Sequence, residues 1–240
     1  MKRIDRFWNW RTVLGGLLVA GAVMAAAQAG WFGLGGESWE EEVRLHDGRT
    51  MLVKRFRAYG GYPELASRDR RVLDEKWVFK NSSSGKTVIW KSDFRHAPEG
   101  DNLMLVLLDF KDGIPYVATT PAGCLAYNYW GRPNPPYIFF KYDEKTWRRI
   151  SIAEFPAEFK NSNVVIGTPS EPDRTGLLSV EVVKQQHAAM APEYQTILRE
   201  PLPAGSYGSL VNCEELVYYK GYWVGPGDSI GKRMADRMSK

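Results

Sequence analysis

The sequence predicts a β-dominated α+β fold: antiparallel hairpins, one mid-chain helix near residues 178–190 and a short C-terminal helix. Three observations carry that prediction. Short runs of alternating apolar and polar residues recur along the chain, as half-buried strands require. Turn formers such as Asp47-Gly48, Ser84-Gly85 and Asp112-Gly113 punctuate those runs. In the middle of the chain only the stretch from Leu178 to Met190 spaces its apolar residues as a helix does.

From Trp39, the residues Glu41, Val43 and Leu45 alternate with Glu40, Glu42, Arg44 and His46, and Asp47-Gly48 turns the chain. The return run sets Met51, Val53 and Arg55 on one face and Leu52, Lys54 and Phe56 on the other. A polar loop with Tyr62-Pro63 follows, then strands at 76–80 and 86–91 joined by a turn at 81–85. Residues 102–110 are continuously apolar but for Asn102 and Asp109, which suits a strand buried on both faces. Its hairpin partner is 114–120, with Pro115 restricted to an edge or a strand start. The Pro- and Gly-rich connector 121–136 is expected to be extended. Strands at 137–142 and 146–150 come next, then a loop-like stretch at 160–176 containing a short strand at 163–166. Ser179 is the expected N-cap of the helix, Pro192 its stop, and His187 lies on its polar side. A strand near 194–199 and a hairpin from 215–220 to 222–224 lead to Pro226, Gly227 and the terminal helix. The basic residues of that helix read as a solvated tail. Residues 39–240 form one globular domain in this reading, with 30–38 as a linker.

The N-terminus is of a different kind. A basic start is followed by an uncharged apolar run and Ala27-Gln28-Ala29, together the pattern of a secretory signal cleaved after residue 29. Residues 12–34 also suffice to cross a bilayer core, which takes about 20 residues, so an N-terminal membrane anchor is the competing reading. Either places the domain in the periplasm or elsewhere outside the cytoplasm. Lys2, Arg3, Arg6 and Arg11 against Asp5 account for three of the net +4 charges. The remainder is close to neutral and offers no footprint for nucleic acid. The two cysteines, Cys124 and Cys213, favour a disulfide in an exported domain, with two buried thiols as the alternative.

Three blocks carry a resemblance: Ser38 to Arg49, Thr119 to Tyr137, and Cys213 to Ser229. They resemble an uncharacterised family of exported proteobacterial proteins, some of them lipoprotein-like. The resemblance implies a bacterial envelope setting and no activity. This chain lacks the lipid-attachment cysteine that such members carry before the Ser-Trp block. Both cysteines fall inside the blocks, which is consistent with a shared disulfide.

Chemistry-bearing patterns are sparse. His46, His96 and His187 sit in three separate elements, and Asp93, His96, Glu99 and Asp101 form only a loose loop cluster, so no metal and no cofactor is expected. Gly205-Ser206-Tyr207-Gly208-Ser209 places tyrosine where a nucleophile elbow needs serine. Aromatic residues are densest between Tyr127 and Trp147. Alternating rings on a hairpin are usually core, but Trp130, Arg132 and Tyr137 lie in or beside the irregular connector and are the candidate binding residues. The expected function is a non-catalytic envelope protein that binds another protein or a cell-wall component. A membrane-anchored accessory subunit of an envelope complex and an envelope-polymer hydrolase are the alternatives.

Overall fold

The structure is a computed structural model that describes residues 36–60, 71–167, 169, 176–206 and 208–239. It is β-rich with antiparallel sheets, as the alternation predicts. The first sheet is a meander of β1 (Gly36–Arg44), β2 (Thr50–Gly60), β3 (Arg71–Lys80) and β4 (Thr87–Asp93), with the two-residue β9 (Leu177–Leu178) parallel to β1 at the edge. Asp47-Gly48 closes the first hairpin, with Arg44 opposite Thr50 and Gly48 at φ +88°. One face of this sheet is buried: Trp39, Glu41 and Val43 from β1; Val53, Arg55 and Arg57 from β2; Glu75, Trp77 and Phe79 from β3; Val88 and Trp90 from β4.

The second sheet runs β5 (Leu103–Lys111), β6 (Ile114–Pro121), β7 (Ile138–Tyr142), β8 (Trp147–Ile150) in chain order. Leu103, Leu105, Leu108, Phe110, Val117, Ile138 and Phe140 pack against the inner face of the first sheet and form the intersheet core. Val106, Leu107, Tyr116, Ala118, Phe139 and Ile150 point the other way, onto Phe155, Phe159, Ile166 and Ile197. The sheet is therefore covered on both faces, which is why residues 103–110 carry an apolar run rather than an alternation. Pro115 sits at the start of β6, and the pairing with β7 begins one residue later at Tyr116.

Several expectations are corrected. The connector contains a helix, α1 (Cys124–Tyr129). Six residues free of proline and glycine form it, and Gly131 and Arg132, both at positive φ, end it. The stretch 163–166 forms no strand, because side chains take its backbone groups. Glu41 accepts from the Val165 amide at 3.3 Å, and Gln186 bonds both the N–H and the C=O of Ile166 at 3.0 Å. The predicted helix is α2 (Val180–Ala188), with Ser179 Oγ accepting from the Val182 amide at 3.4 Å. His187 is not on a polar side: it is buried and bonds Val164 O through Nε2 at 2.8 Å, and burial depresses its pKa. Pro192, instead of only stopping α2, begins the short helix α3 (Pro192–Gln195). The expected strand at 194–199 reduces to a single bridge between Asn161 and Thr196. The chain then runs through a 3-10 turn (Leu210–Asn212), the hairpin β10 (Val217–Tyr219) and β11 (Tyr222–Val224), and α4 (Ser229–Met238). The proposed signal or anchor, most of the linker and Tyr62-Pro63 lie outside the described residues. Among the described residues no helix is long and apolar enough to cross a membrane.

Candidate functional site

The three residues singled out near the connector do not share one surface. Tyr137 is buried in the outer-face cluster, its hydroxyl donating toward Glu193 O at 2.7 Å and Thr196 O at 3.0 Å. Trp130 packs on the opposite face of the same sheet, against the intersheet core, and donates through Nε1 to Asp101 O at 2.7 Å. Arg149 lies over its ring at 5.2 Å. Arg132 clamps the disulfide region. Its guanidinium donates to Cys213 O at 2.7 Å, Glu214 O at 3.1 Å and Asn128 Oδ1 at 3.1 Å, and stacks over Tyr127. Beside it Cys124 and Cys213 are disulfide-bonded, with Cα atoms 5.4 Å apart.

A second polar constellation lies inside the first sheet. Arg55 is 1% exposed and bonds Glu75, Glu41 (3.2 Å) and Val165 O (2.5 Å). Arg57 meets the other oxygen of Glu75 at 2.7 Å and Gly167 O at 2.9 Å. The Arg55 guanidinium is sandwiched by Trp39 at 4.8 Å and Trp77 at 4.2 Å, and the Trp77 indole donates to Glu75 at 2.6 Å. Burial raises the Glu41 carboxyl above the usual carboxylate range, only partly countered by Arg55. Burial acts on Glu75 in the same direction, but Arg55 and Arg57 together outweigh it and hold Glu75 low. This cluster is closed to solvent and ties the sheet to the 165–167 segment, so its role is architectural.

The solvent-accessible chemistry is at the other end of β1. A cleft of about 290 Å³ lies between the turn after β1, the end of β5, the 158–163 segment and α2. At its base Asp109, a carboxylate in the apolar run of β5, accepts from the His46 amide at 2.8 Å and the Phe110 amide at 2.8 Å, and pairs with His46 Nδ1 at 2.8 Å. Burial raises the Asp109 pKa against these hydrogen bonds. Phe159 backs the imidazole at 4.9 Å between ring centroids, leaving the His46 side chain 28% exposed. A carboxylate on Nδ1 favours the Nδ1–H tautomer and presents Nε2 as an acceptor. Asn163 fixes the neighbouring wall by bonding both backbone groups of Leu108 and the Arg44 carbonyl. Arg44, Lys160 and Lys184 line the cleft, all exposed and none ion-paired among the described residues. Glu158, the other acidic lining residue, is paired with Lys111 at 2.8 Å. The arrangement can hold an anion against three cations, beside an oriented imidazole.

No family model, no curated protein and no solved structure matches this chain. The cleft therefore stands on its own geometry. Sequence reasoning missed it, since His46 reads as an ordinary polar residue before a turn. One signal was present: Asp109 interrupts an otherwise apolar buried strand, and a buried carboxylate must find donors. Nothing in the sequence says that His46, 63 residues away, supplies two of them. In the loose loop cluster around His96, Asp93 is taken by Arg95, and Asp101 by Ser92 and the Asp93 amide. No group of metal-ligating side chains occurs among the described residues.

Proposed function

We propose that this chain works outside the cytoplasm as a non-catalytic binding protein, and that the cleft beside His46 receives an anionic group of a cell-wall polymer or an envelope protein. The observation that carries the reading is the trio Arg44, Lys160 and Lys184 around a concave site, none of them ion-paired with a carboxylate among the described residues. Unpaired cations converging on a cleft focus a positive field and draw anionic partners. The Cys124–Cys213 disulfide supports the compartment, because such bonds persist where the surroundings are oxidising. The apolar N-terminal run and the resemblance to exported envelope proteins point the same way.

The test is co-sedimentation of the protein with purified cell-wall sacculi. Wild type pellets, and added salt releases it. The Lys160→Glu, Lys184→Glu double variant stays in the supernatant with its melting temperature unchanged. Equal sedimentation of the two proteins overturns the reading. A second reading, an envelope-polymer hydrolase, is favoured by one observation, the His46–Asp109 pair on the lining of the cleft. It predicts release of soluble wall fragments, abolished by His46→Ala.

A further inference from the structure

The C-terminal helix inverts the usual distribution of side chains. On α4 the residues Gly231, Lys232, Ala235 and Asp236 face inward: Ala235 is 2% exposed, Tyr219 Oη and Lys220 Nζ bond Asp236 at 3.0 and 2.6 Å, and Lys232 Nζ bonds Pro226 O at 2.6 Å. The outward stripe, spaced i, i+3, i+4, i+7, i+8, is Ile230, Arg233, Met234, Arg237 and Met238. Ile230, Met234 and Met238 are 63%, 57% and 66% exposed. A helix packed on a domain normally turns polar residues to water. Here it turns three large apolar side chains outward, flanked on one side by two arginines.

The position of the helix matters as much as its face. Gly36 pairs with Ala58, Ala58 with Asp74, and Asp74 with Asp93, so these four mark one end of the first sheet. The loop after Asp93 carries Ala97, whose carbonyl accepts from Trp223 Nε1 at 2.9 Å in the hairpin that leads into α4. The C-terminal helix is thus fastened to the end of the domain where the chain enters it. That entry follows directly on the apolar run that closes at Leu34.

We propose that the outward stripe of α4 lies on an anionic lipid surface, with Ile230, Met234 and Met238 in the interfacial layer and Arg233 and Arg237 against acidic headgroups. An apolar face edged with arginine is what in-plane interfacial helices present. The charge complements the surface of a bilayer containing phosphatidylglycerol. The contact needs neither the cleft nor any substrate, and it stands whether or not the cleft reading does. With it, the domain is held at the end where β1 begins, and the cleft at the other end of β1 is free to face away from the bilayer.

The experiment uses the oxidised full-length chain carrying a nitroxide at Met234→Cys, on vesicles of phosphatidylcholine with or without phosphatidylglycerol. An apolar N-terminus inserts in either lipid, so the reading comes from the label. On phosphatidylglycerol vesicles the label at position 234 becomes shielded from an aqueous nickel relaxant and open to oxygen. A label at Lys232→Cys does not. Each basic residue near such a surface contributes a factor of about five, so Arg233→Gln with Arg237→Gln lowers the ratio of shielded to unshielded label on phosphatidylglycerol vesicles by roughly 25-fold. Unchanged nickel accessibility at position 234 overturns the proposal. So does shielding that grows with protein concentration in the absence of lipid, which would mean that a second copy covers the stripe.

Discussion

Glu41 and Glu75 share one arginine, yet their carboxyl pKa values move in opposite directions. Glu75 receives both Arg55 and Arg57, and its lowered pKa marks a carboxylate that the fold stabilises in its charged form. Glu41 receives only Arg55 and the Val165 amide, both on Oε2, and its other oxygen has no partner among the described residues. The two therefore push stability in opposite directions with pH. The contribution of Glu75 is present above the unfolded carboxylate pKa and is lost as pH falls through its lower folded value. For Glu41 the folded chain retains a proton that the unfolded chain has released, so its contribution to stability declines as pH rises from the unfolded pKa to the raised folded value. Glu75→Gln should cost about 3–5 kcal/mol at neutral pH, since it strands two buried guanidinium groups. Glu41→Gln should be neutral or stabilising above that window. Urea denaturation of both variants across pH checks this, and equal losses would show that the two carboxylates are equivalent. The alternation in the sequence puts Arg55 on a face with Met51 and Val53, and Glu41 with Val43 and Leu45. What it does not contain is the pairing of those faces across β1, β2 and β3, which depends on tertiary register.

Among the elements, α1 is the one least legible in the sequence. Six residues are too few to display a helical period, and the flanking Pro121, Gly123, Gly131 and Pro133 signal an irregular connector. Its stability comes from long-range fastenings instead. Cys124 at its first residue is bonded to Cys213, Asn128 at its fifth bonds Glu214 O and the Leu216 amide, and Arg132 just beyond it bonds Cys213 O. Those fastenings tie α1 to the segment that enters β10. Two predictions follow from the shared joint. Replacing both cysteines by serine should cost about 2–5 kcal/mol. Arg132→Ala alone should cost about 1–3 kcal/mol, the range for hydrogen bonds to a charged group. Because both act on one joint, the triple variant should lose less than the sum of the two. Thermal melts of the three proteins test it: strict additivity would mean that arginine and disulfide act on separate parts of the molecule. If Arg132→Ala left the melting temperature unchanged, the guanidinium would be available for a partner, as its place in an irregular segment first suggests.

The two sheets differ in a way that should govern how the whole molecule opens. The second sheet is buried on both faces, between the intersheet core and the layer made by Phe155, Phe159, Ile166 and Ile197. Among the described residues the first sheet is covered on its inner face, with Leu52, Phe56 and Ile89 exposed on the other. The β10–β11 hairpin and α4 rest on the rest of the fold through few buried side chains, Val224 and Ala235 among them. Local opening is cheapest where few apolar contacts are lost. Amide exchange should therefore be slowest in β5, β6 and β7, through global unfolding alone, faster in β3 and β4, and fastest in β10, β11 and α4. Part of this order is written in the sequence, where the unbroken apolar run of 103–110 stands against the strict alternation beginning at Trp39. The covering layer is not, because it consists of irregular chain whose backbone is satisfied by side chains such as Gln186 and Arg199 rather than by a ladder. Reducing the disulfide should quicken exchange in the hairpin while leaving β5 to β7 unchanged. If β5 to β7 quickened equally, the C-terminal module would be part of the same cooperative unit as the sandwich, and the slow core would extend across the whole domain.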